Sequence, residues 1–390
     1  MPGGERLSAH VFRFPVQVIF GEGCLSELGA LAKSFGKHAL LVTGDEATSR
    51  LPAVETIKNI LDKAGIALSH FAEVESDPSV ETVEKGAQFA AEKGCDFVIG
   101  LGGGSPMDAA KVIAARLNNP DDIASWEGVG KIKRRSKPLI CIPTTSGTGS
   151  EVTSSAVVSG GRRHQKLSLV SKNLYPVLAI IDPELTYTMP PRVTASTGVD
   201  ALTHAIESYV SRQAWAPNQV LSYRAVQLVF SYLERACADG NDKEARRQLS
   251  LAAFMAGMAF TTSGLGLSHA LSYALGSHFG VPHGEANALV LPSVMRFNLQ
   301  VCAEQYRELA EAMGVHVSGL PAVRAAEVAA QAVEDLVSAL PIPQDLKEVG
   351  VTENSVETLA AEAFLKTRFR FSNPRDTILE DIVYVLNNAL

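Results

Sequence analysis

The sequence has few cysteines, and their arrangement excludes several kinds of site. Its 390 residues include five cysteines, an odd number, and no two of them form a Cys-x-x-Cys pair. A disulfide framework or a cysteine zinc site would need such pairing or regular spacing. We therefore expect reduced thiols and a cytoplasmic protein.

An excess of positive charge is also missing. The formal net charge is −7, which gives no basic field for a nucleic-acid backbone. The N-terminus has no apolar core of signal-peptide length, so no secretory leader is expected. Residues 248–284 contain no Lys, Arg, Asp or Glu, but serines, threonines, glycines and histidines interrupt them. We interpret this segment as two helices buried in a soluble domain, and not as a membrane span.

Short apolar runs alternate with helical segments in the first half of the chain. Hydrophobic residues make up 46% and charged residues 20% of the chain, an ordinary globular mixture with enough length for two domains. The alternation predicts a parallel sheet with helices on both sides. Strands are predicted at 14–20, 39–43, 68–74, 96–101 and 139–142, and helices at 25–35, 54–64, 80–93 and 107–117.

Strand signals nearly vanish after Pro190 and Pro191. The proline pair is a plausible boundary, so we predict an α/β domain at 1–189 and an all-helical domain at 190–390. Helices are predicted there at 195–211, 218–238, 243–262, 267–279, 303–313, 322–340, 355–363 and 377–390.

Asp200 and His204 stand four residues apart with no glycine or proline between them. On a helix this spacing puts both side chains on one face, one turn apart. The neighbouring residues are apolar, so we predict a mostly buried helix, and a buried carboxylate needs a partner such as a metal ion. The same spacing is common on helices that bind no metal, and the pair alone leaves both interpretations open.

Two further imidazoles, His269 and His283, follow in the charge-free segment. Two glycines and Pro282 between them disfavour one continuous helix, so we predict a helix through His269 and a turn that brings His283 back. With Asp200 and His204 they offer one oxygen and three nitrogens. That set suits zinc or ferrous iron better than calcium or magnesium.

A glycine-rich run follows the predicted strand 96–101 and consists of Gly102, Gly103, Gly104 and Ser105. Glycines at this point let the backbone approach a pyrophosphate, and the helix start offers free N–H groups. The run is not the GxGxxG fingerprint, so a standard Rossmann assignment does not apply in detail. A glycine-rich turn without a ligand is the alternative.

A second polar loop, 143–151, follows the predicted strand 139–142 and contains Thr144, Thr145 and Thr148. Its hydroxyls can form hydrogen bonds with a nicotinamide amide or with phosphates, although an ordinary Ser/Thr-rich loop has the same composition. Two such loops at the ends of parallel strands fit the rule that ligands bind beyond the carboxyl ends of a sheet.

Six motifs in order closely resemble the iron-containing (group III) alcohol dehydrogenase family, and the resemblance runs from Phe14 to the end of the chain. The motifs are Gly102-Gly103-Gly104-Ser105 with Asp108 and Lys111, Pro143-Thr144-Thr145 with Gly147, Thr148 and Glu151, Asp182-Pro183 with Leu185 and Thr186, Thr197-Gly198 with Asp200 and His204, Pro282-His283-Gly284, and Asn373-Pro374-Arg375.

The resemblance implies an α/β dinucleotide-binding domain of the dehydroquinate synthase-like type, a helical domain that holds metal and substrate, and an active site in the cleft. It also implies Fe2+ or Zn2+, NAD or NADP, a homodimer or higher homo-oligomer, and a small alcohol or aldehyde as substrate. The residues implied as metal ligands are Asp200, His204, His269 and His283. Those implied as cofactor-binding are Gly44, Asp45, Gly102, Gly103, Gly104, Ser105, Thr144, Thr145, Thr148, Lys166 and Leu185. Those implied as catalytic are Asp108 and Tyr273.

Two positions depart from the common family pattern. Many members have a histidine where this chain has Tyr273, and a phenol is a poorer base near neutrality than an imidazole. A tyrosine there also resembles the hydroxyacid–oxoacid transhydrogenase branch. NAD-preferring members often place an aspartate directly after the threonine that matches Thr43, whereas this chain has Gly44 and then Asp45. The choice between NAD and NADP therefore stays open.

The resemblance implies reversible hydride transfer between a primary alcohol and its aldehyde, with the metal as a Lewis acid at the substrate oxygen. Alternatives are a transhydrogenase or hydroxy-acid dehydrogenase, a sugar-alcohol dehydrogenase, a cyclase of the dehydroquinate synthase type, and a non-enzymatic metal or nucleotide sensor. The ligand set of one Asp and three His, and the absence of a lysine-rich active-site face, disfavour the cyclase.

Overall fold

The computed structural model describes residues 12–44, 49–160 and 165–390. Asp45, predicted at the cofactor ribose, lies outside the described residues. The strands are β1 (Gln17–Phe20), β2 (His38–Gly44), β3 (Ala67–Val74), β4 (Phe97–Gly102), β5 (Gly128–Val129), β6 (Leu139–Pro143), β7 (Ser155–Gly160), β8 (Gln165–Val170) and β9 (Leu178–Ile181).

Six of these strands form one sheet in the order β1-β9-β6-β4-β2-β3, and every pairing is parallel. Successive side chains of a strand point to opposite faces. Leu40 and Val42 of β2 therefore belong to one apolar core, and Ala39 and Leu41 to the core on the other face. The predicted parallel sheet, covered on both sides, is confirmed.

The chain passes from β2 outward to β3 and then back across β2 to β4. The strand order therefore reverses between β2 and β4, and a reversal of this kind opens a crevice at the carboxyl ends of the two strands. Gly44 ends β2 and Gly102 ends β4. Both predicted cofactor-binding positions thus lie at this edge of the sheet.

Helices of the first half cover the sheet, and each lies close to its predicted position. They are α1 (Leu28–Ala32), α2 (Pro52–Lys63), α3 (Val80–Lys93) and α4 (Gly104–Arg116). Pro52 occupies the first turn of α2, where its missing N–H has no intrahelical partner in any case. Ser79 caps α3 by accepting a hydrogen bond from the N–H of Thr82.

The segment between β6 and the helical half contains strands that the sequence did not predict. β7 and β8 pair antiparallel, and β5 adds to β8 in parallel to complete a second, three-stranded sheet. β9 joins the main sheet between β1 and β6. Polar residues interrupt the apolar ones in β7 and β8, and β9 has only four residues, so none of the three gives a clear strand signal.

The second half consists of helices in its described elements, as predicted. They are α5 (Pro191–Val210), α6 (Ala216–Ala238), α7 (Lys243–Ser263), α8 (Leu267–Phe279), α9 (His283–Asn298), α10 (Ala303–Ala312), α11 (Ala322–Ser338), α12 (Glu353–Leu365), α13 (Thr367–Ser372) and α14 (Leu379–Ala389). α9 was not predicted as a helix, because Gly284 near its start and Pro292 inside it weaken the helical pattern. The predicted turn before His283 is present at Gly280, which has a left-handed φ of 65°.

The charge-free segment forms most of α7 and all of α8. No single described helix is both long and apolar enough to cross a membrane, and α7 and α8 meet that criterion only together, with a bend of 104° between them. Many of their residues are buried in the apolar cores of the helical half, including Leu249, Ala256 and Leu271. The interpretation as a buried helix pair agrees with this packing.

Candidate metal centre and cofactor cleft

Asp200 and His204 lie on one face of the buried helix α5, as their spacing predicts. His204 Nε2 lies 3.8 Å from Asp200 Oδ1, and both side chains are almost completely buried. His204 also stacks on Phe260, with 4.4 Å between the ring centroids. This contact fixes the plane of the imidazole beside the carboxylate.

His269 on α8 and His283 at the first position of α9 converge on the same carboxylate. Their Nε2 atoms lie 3.8 Å and 3.7 Å from Asp200 Oδ1. Ligand atoms of Asp200, His269 and His283 all lie within 4.8 Å of one another, and the ring of His204 stacks on that of His269 with centroids 4.7 Å apart. The structure therefore brings together the four predicted ligands.

The spacing of these atoms fits a transition-metal ion. Two ligand atoms about 2.1 Å from a shared ion in a tetrahedral site lie about 3.4 Å apart, close to the separations seen here. Burial lowers the pKa of His204 well below its ordinary value and lowers that of His283 to about 3. Both rings are therefore neutral at physiological pH and present lone pairs that a cation can accept.

Glu207 supports the site from behind His269. Its carboxylate accepts hydrogen bonds from the N–H groups of Gly266 (2.9 Å) and Ser268 (2.7 Å) and lies 2.6 Å from His269 Nδ1. Burial raises the pKa of Glu207, but His269 and the backbone donors lower it by more. The carboxylate therefore accepts a hydrogen bond from His269 Nδ1–H, which leaves Nε2 free to bind an ion.

Asn287 is the second supporting residue, and sequence reasoning missed both. Its Nδ2 donates a hydrogen bond to Asp200 Oδ1 (2.9 Å) and lies 3.5 Å from the Nε2 atoms of His269 and His283. Its Oδ1 is buried without a partner among the described residues. The helical offset from the ligands could have found both: Glu207 follows His204 by three residues, and Asn287 follows His283 by four.

The two predicted cofactor loops lie side by side at the carboxyl end of the sheet. Gly102 of β4 is in register with Pro143 of β6, and the N–H of Thr144 donates to the carbonyl of Gly102 (2.9 Å). A Cβ on Gly103 would lie 3.4 Å from the Thr145 side chain, and one on Gly104 would lie 3.0 Å from Thr148. The glycines therefore keep the two loops in close contact.

Two observations make the loops suitable for a dinucleotide. Thr145 Oγ1 is buried and has no hydrogen-bond partner among the described residues, and a buried hydroxyl of this kind is destabilising unless a ligand or water satisfies it. Gly103 and Gly104 stand at the N-terminus of α4, where N–H groups face outward. The hydroxyl of Ser105, in the first turn of α4, donates a hydrogen bond to the carbonyl oxygen of Ser76.

Asp108 lies one turn into α4, and hydrogen bonds occupy both of its carboxylate oxygens. Oδ1 accepts from Ser150 Oγ (2.6 Å), and Oδ2 accepts from the N–H of Val157 (2.8 Å). Burial raises the pKa of Asp108, and the neighbouring Lys111 ammonium opposes that rise. These contacts give Asp108 a positioning task between α4 and the second loop, and its catalytic role stays a prediction.

Tyr273 and Lys166 lie beside the ligand set. The Tyr273 ring meets the His283 ring edge to face at a centroid distance of 5.5 Å. Lys166 Nζ lies 6.0 Å from the centroid of Tyr273 and 3.7 Å from Asp77 Oδ1. Burial raises the pKa of Tyr273, with a smaller rise from Asp108. The phenol therefore stays protonated at neutral pH.

Leu185 and Gly44 complete the predicted set. Leu185, in the 3-10 turn Pro183–Thr186, packs against the apolar core on one face of the sheet. Gly44 is buried at the end of β2, after Thr43, whose hydroxyl lies 2.9 Å from His70 Nε2. No described contact connects either residue to the metal ligands, and their cofactor roles stay predictions.

Comparisons with known proteins agree with this geometry. Residues 15–183 match the family model "Iron-containing alcohol dehydrogenase", and residues 194–390 match "Fe-containing alcohol dehydrogenase family, C-terminal". The lactaldehyde reductase of Escherichia coli K12 is 37% identical over 95% of this chain and 97% of its own length. The NAD-dependent methanol dehydrogenase of Bacillus methanolicus is 37% identical over 97% of this chain and 99% of its own.

A solved alcohol dehydrogenase from Oenococcus oeni superposes with a TM-score of 0.95 at 34% identity, covering 98% of this chain and 100% of that one. Fold and relatives together define the class of protein as an oxidoreductase acting on alcohols and aldehydes. The chain belongs to the iron-containing alcohol dehydrogenase family.

Proposed function

We propose that the protein interconverts a small primary alcohol and its aldehyde with a nicotinamide dinucleotide, at a divalent cation held by Asp200, His204, His269 and His283. The observation that carries the proposal is the convergence of three imidazole Nε2 atoms within 3.8 Å of one carboxylate oxygen. Fe2+ or Zn2+ suits this set of one oxygen and three nitrogens.

When bound, a dihydronicotinamide would supply a hydride to the aldehyde carbon, and a cation would polarise the substrate oxygen, which would take its proton from water to give the alcohol. Thr145 Oγ1, which lacks a partner among the described residues, orients the cofactor by a hydrogen bond. Asp108 and Lys111 hold the second loop against α4 through Ser150.

Tyr273 keeps its proton because burial raises the pKa of the phenol. Its hydroxyl therefore acts as a hydrogen-bond donor at the substrate end of the cleft. Water supplies the proton that a histidine at this position would otherwise relay. The aromatic rings of Tyr273, Phe260 and Phe369 line the ligand set. They exclude water from one side of the reacting carbon.

His283→Ala tests the metal centre, and His278→Ala is its matched control. His278 lies on α8 outside the site and contacts Glu362. We expect His283→Ala to lose bound metal and nearly all aldehyde reduction, while His278→Ala keeps both. Elemental analysis and NADH or NADPH oxidation measure the two effects, and near-normal turnover by a metal-depleted His283→Ala protein would falsify the proposal.

The finer assignments are part of the same proposal. The cofactor is NAD or NADP. Gly44 at the end of β2 has no side chain, which leaves room for a ribose with either a 2′-hydroxyl or a 2′-phosphate. The five cysteines are all free, which agrees with a reducing compartment such as the cytoplasm. The domain boundary at 189–190, a homodimer or higher homo-oligomer, and Fe2+ or Zn2+ as the ion complete the proposal. The kcat/KM ratio for NADH and NADPH, elemental analysis and light scattering test these points.

A hydroxyacid–oxoacid transhydrogenase is the second candidate, favoured by Tyr273 at a position where many members have histidine. Such an enzyme would keep its nicotinamide bound and exchange hydride between two substrates. Its steady-state rate would not depend on added free NAD(P). A dehydrogenase requires that dependence, so one titration of the purified protein with cofactor separates the two.

A further inference from the structure

A short positively charged segment covers the Tyr273 side of the metal centre. Phe369 of α13 is buried and packs on α8, with ring centroids 5.3 Å from Tyr273 and 6.2 Å from His269. This contact fixes the residues on either side of Phe369. Lys366, directly before α13, and Arg368, inside it, are thereby held next to the site.

Lys366 lies close to Tyr273, with its Nζ 5.8 Å from the centroid of the Tyr273 ring. Arg368 directly precedes Phe369, whose ring centroid is 5.3 Å from that of Tyr273. Lys366 is half-buried and Arg368 is exposed, so neither charge is enclosed in the protein core.

Neither cation has an acidic partner in the described part of the chain. Lys166, which also lies near Tyr273, is 3.7 Å from Asp77. Glu362, one turn before Lys366, lies instead 2.6 Å from His278. The chain as a whole carries a net charge of −7. Two unpaired cations beside the reacting centre therefore depart from the general charge of the molecule and attract an anion there.

From this arrangement we propose that the substrate is an aldehyde, or its alcohol, that carries an anionic group at the end away from the reacting carbon. A carboxylate, sulfonate or phosphonate would bind between Lys366 and Arg368, and the guanidinium suits a planar or bidentate oxyanion. The carbonyl would then lie at the metal ligands, beyond the Tyr273 ring. This inference rests on the proposed function and names its substrate class.

The phosphates of the cofactor are the alternative anion for Lys366 and Arg368 to bind. The pyrophosphate loop at Gly102–Ser105 belongs to the sheet half, and Ser105 is bonded to Ser76, next to Asp77, the partner of Lys166. Lys166 is therefore the cation nearest the pyrophosphate loop, whereas Lys366 and Arg368 belong to the helical half, which holds the proposed metal ligands. A change in KM for NADH, and not for substrate, would contradict this division.

The test compares Lys366→Gln, Arg368→Gln and the double variant with wild type on two aldehydes of equal length, succinate semialdehyde and butanal. Arg224→Gln is the control, because Arg224 is an exposed cation on α6 that contacts only Gln227 among its described hydrogen-bond partners. We expect kcat/KM for succinate semialdehyde to fall about 10- to 100-fold. The values for butanal and the KM for NADH should stay within about twofold, as should all values of the control.

Two outcomes would overturn the substrate class: no preference of wild type for the charged aldehyde, or an equal fall for both aldehydes in the variants. Calorimetric binding of the corresponding hydroxy acid gives a readout without turnover. Charge-dependent binding without turnover of any aldehyde would count against the proposed function alone. Turnover of butanal without charge-dependent binding would count against the substrate class alone.

Discussion

Asn287 lies one turn after His283 on α9 and donates a hydrogen bond to Asp200 Oδ1 (2.9 Å). A carboxylate oxygen that both binds an ion and accepts a hydrogen bond is held in one orientation. We expect Asn287→Ala to weaken metal affinity by roughly 10- to 100-fold, because Asp200 would lose that restraint. Competition with a metal chelator, followed by absorbance, measures the affinity.

Asn119→Ala controls for the loss of a buried amide. Asn119 lies after α4 in the sheet half, where its Nδ2 donates hydrogen bonds to the carbonyls of Ala115 (2.8 Å) and Arg134 (3.1 Å). Both variants should lose about 1–3 kcal/mol of unfolding free energy, but only Asn287→Ala should lose metal affinity. Equal metal affinity in the two variants would contradict a positioning role for Asn287.

Single residues of the site could be predicted only where spacing made them visible. Asp200 and His204 form an i, i+4 pair, and the two later histidines stood out in a charge-free segment. Glu207 and Asn287 stand at helical offsets from His204 and His283, but those offsets alone did not single them out, because a Glu or an Asn on a helix is ordinarily a solvated surface residue. Their roles depend on contacts across 62 residues to His269 and 87 residues to Asp200, which no local pattern contains.

At the scale of elements, the 3-10 turn Ser150–Val152 carries a buried carboxyl group, that of Glu151, at the end of the second cofactor loop. Burial raises the pKa of Glu151 from 4.5 to about 7, although Lys111 opposes the rise. Glu151 therefore ionises at lower pH in the unfolded chain than in the folded one. The free energy of unfolding consequently falls as pH rises from about 4.5 to 7. Above pH 7 the penalty is fully present, about 3 kcal/mol.

Glu151→Gln should therefore be more stable than wild type at pH 8, by up to about 3 kcal/mol, and equally stable near pH 4.5. Thermal unfolding of both proteins across this range, at equal metal content, measures the difference. Only the difference between the two proteins is informative, because other carboxylates also titrate there. A constant difference at all pH values would mean that Glu151 titrates normally in the folded protein.

Elements in which apolar residues recur at a regular helical or strand spacing were predicted, and elements without such a spacing were not. α3 and α6 match their predictions to within a few residues, because apolar positions recur on one face. β7 and β8 were missed, since their stability depends on pairing with each other and not on their own sequence. α9 was missed because buried packing on all sides tolerates Gly284 and Pro292, which local propensity disfavours.

At the scale of the whole molecule, the two halves supply different parts of the site. The proposed metal ligands all belong to the helical half, and both proposed cofactor loops belong to the sheet half. The halves meet where the second loop packs on α7: Gly149, with a left-handed φ of 62°, approaches Gly257 so closely that an added Cβ would lie 2.7 Å from its Cα. Hydride transfer requires the reacting carbons to be close, so we expect this contact to help determine their separation.

Gly257→Ala should push the second loop away from α7, because its new Cβ would lie 2.9 Å from Val152 Cγ2 and 3.0 Å from Gly149 Cα. Since the loop carries Thr145 and Thr148, we expect KM for the cofactor to rise and kcat to fall, with a stability loss of about 1–3 kcal/mol. Metal content should not change, because no ligand lies in the sheet half. Steady-state kinetics, elemental analysis and thermal unfolding measure the three quantities.

Gly29→Ala is the matched control, since its Cβ would lie 3.0 Å from Ile60 Cγ2 and 3.2 Å from the Ile60 carbonyl oxygen inside the sheet half. It should lose stability without a change in cofactor KM, because α1 and α2 carry no residue of either cofactor loop. If both variants changed KM equally, the kinetic effect would follow from general destabilisation. If only Gly257→Ala did so, the approach of two glycine backbones would govern how the cofactor of one half reaches the metal centre of the other.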